Sequence, residues 1–333
     1  MTAGRDRRYV ALLPGLVVLA AGAAVADALA PLIGVNALFL AILLGALLAN
    51  AVGVPGVARA GVETHDRFLV AGIVLMGALV SVGTVREVGP SVLVVIVGAA
   101  AFSLLTVELL AKNVFGLADR LGSLLAAGAS ICGVSAVAGV AGAISARERD
   151  VAYASATILL FDAITLVVYP IVGEALELSG PVFGIWAGVS MFSTGPVVAV
   201  GFAHSELAGQ WATMTKLARN ALIGIVILVY AAYYAGQSGD GSSTIGTVRE
   251  GFPTFVLGFL ALVAVASTGV FTADQEALIE TAYGWLFLVA FVGLGTEIRP
   301  SALRDAGVIP IAVVCLAFLA TSVLSLAVLL AIL

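Results

Sequence analysis

The chain has 333 residues, of which 62% are hydrophobic and 11% charged, with a formal net charge of -5 and a mean hydropathy of +1.17. A soluble core of this length neither needs nor could cover so much apolar surface. Apolar runs of span length recur throughout, so the chain reads as an all-α polytopic membrane protein. Continuous rather than alternating runs exclude a β-barrel, and the charge balance gives no case for nucleic acid.

About eleven spans are expected. They begin near Tyr9, Asn36, Arg67, Pro90, Gly122, Val151, Pro181, Gly209, Gly251, Ala277 and Ile309. The first run is full length and others follow at once, so no cleavable signal peptide is expected. The whole chain, 1–333, reads as one transmembrane domain with halves near 1–175 and 176–333. A Gly/Ser-rich polar linker runs from Gly236 to Glu250. With the N-terminus in the cytoplasm, Arg5, Arg7, Arg8, Arg59, Arg67, Lys112, Arg120, Arg249, Arg299 and Arg304 fall inside. Arg86, Arg147 and Arg149 fall outside, and this bias sets the expected orientation in the plasma membrane.

The turn "GALVSVGTVREVG" (Gly77 to Gly89) resembles "GTEIRPSALRDAG" (Gly295 to Gly307). Eleven spans would put them on opposite sides, which is the signature of an inverted-topology repeat. Glu108 and Lys112, four apart, read as a surface pair near a helix end. Asn36, Asn50 and Asn113 mark span ends. His65 and His204 fall in expected loops, where a solvated ring is the default.

"LLAAGASICGVSAVAGVAGAIS" (Leu124 to Ser145) is a span built of small residues. Gly costs a helix about 1 kcal/mol relative to Ala, and Ser competes for backbone hydrogen bonds. Such a helix can open at "SICGVS" (Ser130 to Ser135). In a membrane, an opened backbone must face protein or water, and half-helix N-termini favour anions. Close helix packing through the same small residues is the other reading. "SMFSTGP" (Ser190 to Pro196) is a stronger breaker, because Gly195-Pro196 interrupts the ladder. It shares the small-residue pattern of the first stretch.

Asp162, in "TILLFDAITLVVY", is an isolated intramembrane acid: an ion or proton ligand, or half of an ion pair. "WATMTKLARNALIGIVILVYAAYY" carries Lys216 and Arg219 on one helix face. Arg219 lies on the order of 15 Å from a span start at Gly209, near the midplane. A cation there costs about 2.5–3.5 kcal/mol and needs a partner. A later start, near Leu217, would instead let both cations snorkel. No metal spacing, phosphate loop, nucleotide motif or nucleophile set is present, so no cofactor is expected and an enzyme is the least favoured class. Cys132 and Cys315 lie in apolar runs and suggest no disulfide.

"AAGASICGVSAVAG", then "VVYPIVG", "FGIWAGVSM" and "TKLAR" in that order resemble the YeiH-type membrane proteins, often labelled sulfate exporters. The resemblance runs from "AILLGALLANAVGVPGV" to "VGLGTEIRPSALRDAG", nearly the whole chain. It implies a distant kinship with the sodium–proton antiporter and bile-acid symporter superfamily. That in turn implies two inverted bundles, broken crossover helices and elevator-like alternating access. The sequence departs from the pattern at Phe192 and Ser193, where the resemblance leads one to expect His and Glu.

The expected function is secondary transport of a small anion, sulfate or an organic anion. Ser130, Cys132, Gly133 and Ser135 would form one half of the site, and Ser190, Ser193 and Thr194 the other. Lys216 and Arg219 would contact the anion or neutralise exposed carbonyls. The alternative is a cation–proton antiporter using Asp162. Na⁺ or H⁺ is the expected coupling ion, the lipid bilayer the surroundings, and a homodimer the assembly suggested by related folds.

Overall fold

The computed structural model describes residues 3–79, 82–238, 255–298 and 307–333, which among themselves form helices and no strand. Among the described residues, six helical segments are long and apolar enough to cross a membrane: Ala11–Ile33, Pro90–Val114, Glu148–Ala175, Glu206–Tyr234, Ala273–Glu297 and Val308–Ile332. The other expected spans coincide with shorter or broken helices. Of the matching turns, 77–89 is described apart from 80 and 81, as a short 3-10 turn (Gly77–Leu79) and the start of the helix Val82–Leu109. Most of 295–307 lies outside the described residues, as does most of the 236–250 linker.

Two compact units share the chain, and each draws on two separate stretches: Met1–Glu87 with Phe255–Arg299, and Val88–Thr254 with Pro300–Leu333. The first holds α1 (Ala3–Ile33), α2 (Ala37–Leu47), α3 (Gly56–Val62) and α4 (His65–Met76). The second begins within α5 (Val82–Leu109) and continues through α6 (Asp119–Ser130), α7 (Val134–Ala143), α8 (Glu148–Ala175), α9 (Gly180–Ser190) and α10 (Thr194–His204). It then includes α11 (Glu206–Asn220) and α12 (Ile223–Ser238). The chain returns to the first unit for α13 (Phe255–Ala266) and α14 (Ala273–Glu297), and ends in the second with α15 (Val308–Ile332).

Lipid offers helices no hydrophobic drive to associate, so both units pack through small residues. In the first, Gly45 and Gly295 bring α2 and α14 backbone to backbone, and Gly15 and Gly61 do the same for α1 and α3. Asn36 caps α2, its Oδ1 accepting from Leu38 N at 2.9 Å. In the second, Gly184 and Gly188 seat α9 on α11, where a Cβ at Gly188 would lie 2.6 Å from Thr215 Cβ.

Both histidines lie in helices rather than in solvated loops. His65 opens α4 and is 4% exposed, with Nδ1 3.1 Å from Val62 O and Nε2 3.6 Å from Glu297 Oε1. His204 ends α10, stacked on Phe183 at 4.0 Å between centroids. The Glu108–Lys112 pair is real, at 2.7 Å, but it is largely buried. Glu108 also accepts from Ser123 and Tyr230, each at 2.7 Å, tying α5, α6 and α12.

Candidate functional site

Two helices of the second unit break where their sequences are weakest. α6 stops at Ser130 and α7 starts at Val134; between them Gly133 takes a positive φ of 67°. α9 stops at Ser190 and α10 starts at Thr194. The second break comes ahead of the Gly-Pro pair, not at it. Gly195 and Pro196 belong to the first turn of α10, where a missing N–H costs nothing. The breaks meet face to face: a Cβ at Gly133 would collide with Ser193 Oγ.

Each break strands carbonyl oxygens on one side and N–H groups on the other. The carbonyls all belong to the ends of α6 and α9, and two side chains of α11 take them. Lys216 Nζ donates to Ile131 O at 2.8 Å, to Met191 O at 3.1 Å and to Phe192 O. Arg219 donates through Nε to Ser130 O, through Nη2 to Ala129 O, and through Nη1 to Met191 O at 2.7 Å and Gly188 O at 3.4 Å. The i+4 partner of Phe192 O is Pro196, which has no N–H, so Lys216 supplies the donor the ladder lacks. Both cations are 0% exposed; α11 begins at Glu206, well before them, and neither snorkels.

The N–H side is different. Asp162, on α8 and 4% exposed, accepts from Ser193 N through Oδ1 at 3.0 Å. Among the described residues, the N–H groups of Val134, Ser135, Thr194 and Gly195 meet no protein acceptor. Ser135 is exposed, and Ser193 and Thr194 are partly exposed, so this side of the crossing is accessible. Asn220, 2% exposed, donates through Nδ2 to Thr194 Oγ1 at 3.0 Å, while its Oδ1 has no partner; nor does the buried Ser130 Oγ.

The residues expected at the site therefore divide. Gly133, Ser135, Ser193 and Thr194 gather on the N–H side with Asp162. Ser130 and Cys132 are buried at the first break. Ser190 is committed elsewhere: its hydroxyl donates to Trp186 O and accepts from Tyr169 at 2.7 Å. Tyr169 also meets Ser322 at 3.0 Å, and Trp186 Nε1 donates to Ser322 O at 3.0 Å, so α8, α9 and α15 lock together behind the break. The sequence reading missed this lock; the only signal for it was a Trp and scattered hydroxyls inside apolar spans. Phe192 packs against Phe161 and Phe318, with centroids 5.9 and 5.7 Å away, and lines the crossing with an apolar wall. Among the described residues no cluster of His, Cys, Asp or Glu could hold a metal.

A family profile described as "Conserved hypothetical protein 698" matches residues 12–314. Relatives bearing the name UPF0324 membrane protein match over most of the chain. One from Nitratidesulfovibrio vulgaris is 34% identical over 311 residues, covering 89% of this chain and 86% of the relative. One from Rhizobium meliloti is 31% identical over 326 residues, covering 94% and 90%. The chain belongs to the UPF0324 membrane protein family. A further UPF0324 protein, from Clostridium tetani, is 30% identical over 262 residues, covering 74% of this chain and 75% of its own. No solved structure matches this UPF0324 chain.

Proposed function

We propose that this UPF0324 protein is a secondary transporter for a small anion, which sits at the N-terminal ends of α7 and α10. One observation carries the reading: the crossing holds one positive charge more than it neutralises. Lys216, whose three carbonyl acceptors take all three protons of an ammonium, and Arg219 are buried against what is, among the described residues, a single buried carboxylate, Asp162. Each helix end counts for about half a charge, so the two C-terminal and two N-terminal ends cancel one another. The stranded N–H groups and the hydroxyls of Ser135, Ser193 and Thr194 supply the donors an oxyanion needs. Lys216 and Arg219 act one step back, holding the two breaks open by occupying their carbonyls.

The finer parts of the reading rest on the sequence. They are the eleven spans with a cytoplasmic N-terminus in the plasma membrane, the inverted repeat, the homodimer and the sulfate-exporter resemblance. The rival reading, a cation–proton antiporter, places the ion on Asp162. Asp162 is buried as such a ligand should be, but the surplus positive charge beside it opposes a bound cation.

The test is thermal unfolding of the detergent-purified protein against sulfate, sulfite, thiosulfate, taurine and small carboxylates, with and without Na⁺, at two pH values. An anion at 100 times its dissociation constant should stabilise the native state by about 2.7 kcal/mol. Thr194→Ala should weaken that response without lowering the unliganded midpoint by as much as a change at Lys216. Stabilisation by Na⁺ with no anion active would move the reading to cation exchange at Asp162.

A further inference from the structure

We propose that Asp162 matches the charge of the site to the charge of its anion: a monoanion enters alone, and a dianion enters with one proton on Asp162. This rests on the anion reading above.

Asp162 Oδ1 occupies Ser193 N–H, the N-cap of α10, and the free N–H groups of Thr194 and Gly195 follow immediately. An anion held there shares one helix turn with Asp162. With Asp162 ionised, the crossing carries a surplus of one positive charge, which a monoanion cancels. A dianion would leave a surplus negative charge in a buried site, and such a charge is relieved by neutralising a nearby group. Asp162 is the acid on that turn.

Among the described residues packed around Asp162, no other acid competes for this task. Lys216 and Arg219 attract Asp162 electrostatically, but their donors are spent on carbonyls. Among the elements packed on α8, α6 carries Asp119 and Arg120 in its first turn, far from the break, and α7 carries nothing titratable. α10 has only His204 at its far end, and α15 only Cys315. Cys132 lies in the first break, and Tyr169 on α8 is bonded to Ser190 and Ser322. In the proton balance, H⁺ from the side of entry bonds to an Asp162 carboxylate oxygen as the dianion binds. Both leave together on the other side, so the dianion moves with one net negative charge.

The experiment is titration calorimetry of the purified protein with methanesulfonate and with sulfate, whose charges are fixed between pH 6 and 8. Each titration is run in two buffers of different ionisation enthalpy, so that the difference counts protons taken up. Sulfate should take up about one proton per anion and bind about tenfold tighter per unit fall in pH; methanesulfonate should take up none. In Asp162→Asn, sulfate should bind with no proton uptake. Three results overturn the inference while leaving an anion site standing: sulfate binding without a proton, methanesulfonate binding with one, or methanesulfonate binding where sulfate does not. Proton uptake that persists in Asp162→Asn assigns it elsewhere and also overturns it. If neither anion binds, the anion reading itself falls. The wild-type proton count decides the matter even if the variant does not fold.

Discussion

Lys216 has three N–H donors and three carbonyl partners, so it has none to spare for a ligand. Replacing it with Met would leave the Ile131 and Phe192 carbonyls buried without this donor, while Met191 O keeps Arg219. The expected cost is about 2–6 kcal/mol, at about 1–3 kcal/mol for each buried carbonyl left unsatisfied. It should appear as a lower thermal midpoint without any ligand. An unchanged midpoint with a lost anion response would instead mean that Lys216 touches substrate. Arg219→Lys keeps the charge but cannot span Ala129, Ser130, Gly188 and Met191 at once, and should lose about 1.5–3 kcal/mol. The depth of both cations was legible, because a polar cluster inside an apolar run needs an interior partner. The partners were not, because they are backbone carbonyls 24 to 90 residues away and carry no side-chain signature. His65 misled for a related reason: "ETHDR" reads locally as a solvated turn, but Gly293 of α14 lets the ring pack inside.

At the level of elements, the breaks themselves could be read from composition, but their position could not. Gly-Pro looked like the interruption, yet Pro196 is a first-turn residue whose absent N–H only frees Phe192 O for Lys216. Pro196→Ala should therefore be mild, within about 1 kcal/mol in thermal unfolding, because the restored N–H falls in the turn that has no ladder partner. Gly133→Ala should be severe. Its backbone, φ 67° and ψ -138°, costs a β-carbon residue about 1–3 kcal/mol, and the new methyl drives into Ser193. Adding Ser193→Gly should recover the steric part and leave the φ cost. Equal stability of the single and double variants would show that the two breaks do not bear on one another. Small residues had two readings in the sequence, helix breaking and close packing. Both occur: Gly133 breaks, while Gly184 and Gly188 pack.

On the scale of the whole molecule, hydropathy led to about eleven expected spans, and six helices long and apolar enough to cross a membrane stand among the described residues, but the division into units was not legible. Each unit takes chain from two separated stretches; the polar turns at 77–89 and 295–307 and the 236–250 linker lie at or next to the boundaries, but nothing in them says which stretches pack together. The proposed topology makes a direct prediction for a Cys315→Ser background. Cysteines at Val35 and Arg147 should react with an impermeant maleimide added to intact cells, and those at Glu63 and Glu177 only after permeabilisation. Reaction of Glu63→Cys from outside would reverse the orientation. The reach of α11 across both breaks also has a consequence for synthesis. When the Ala129–Ile131 segment leaves the ribosome, the side chains that will satisfy its carbonyls are still 85 to 90 residues from being made. At about 5–20 residues per second, that is a wait of several seconds or more. During it, the nascent first crossover must linger near water or lean on the insertion machinery. A chain stalled before Lys216 would be a natural target for membrane quality control.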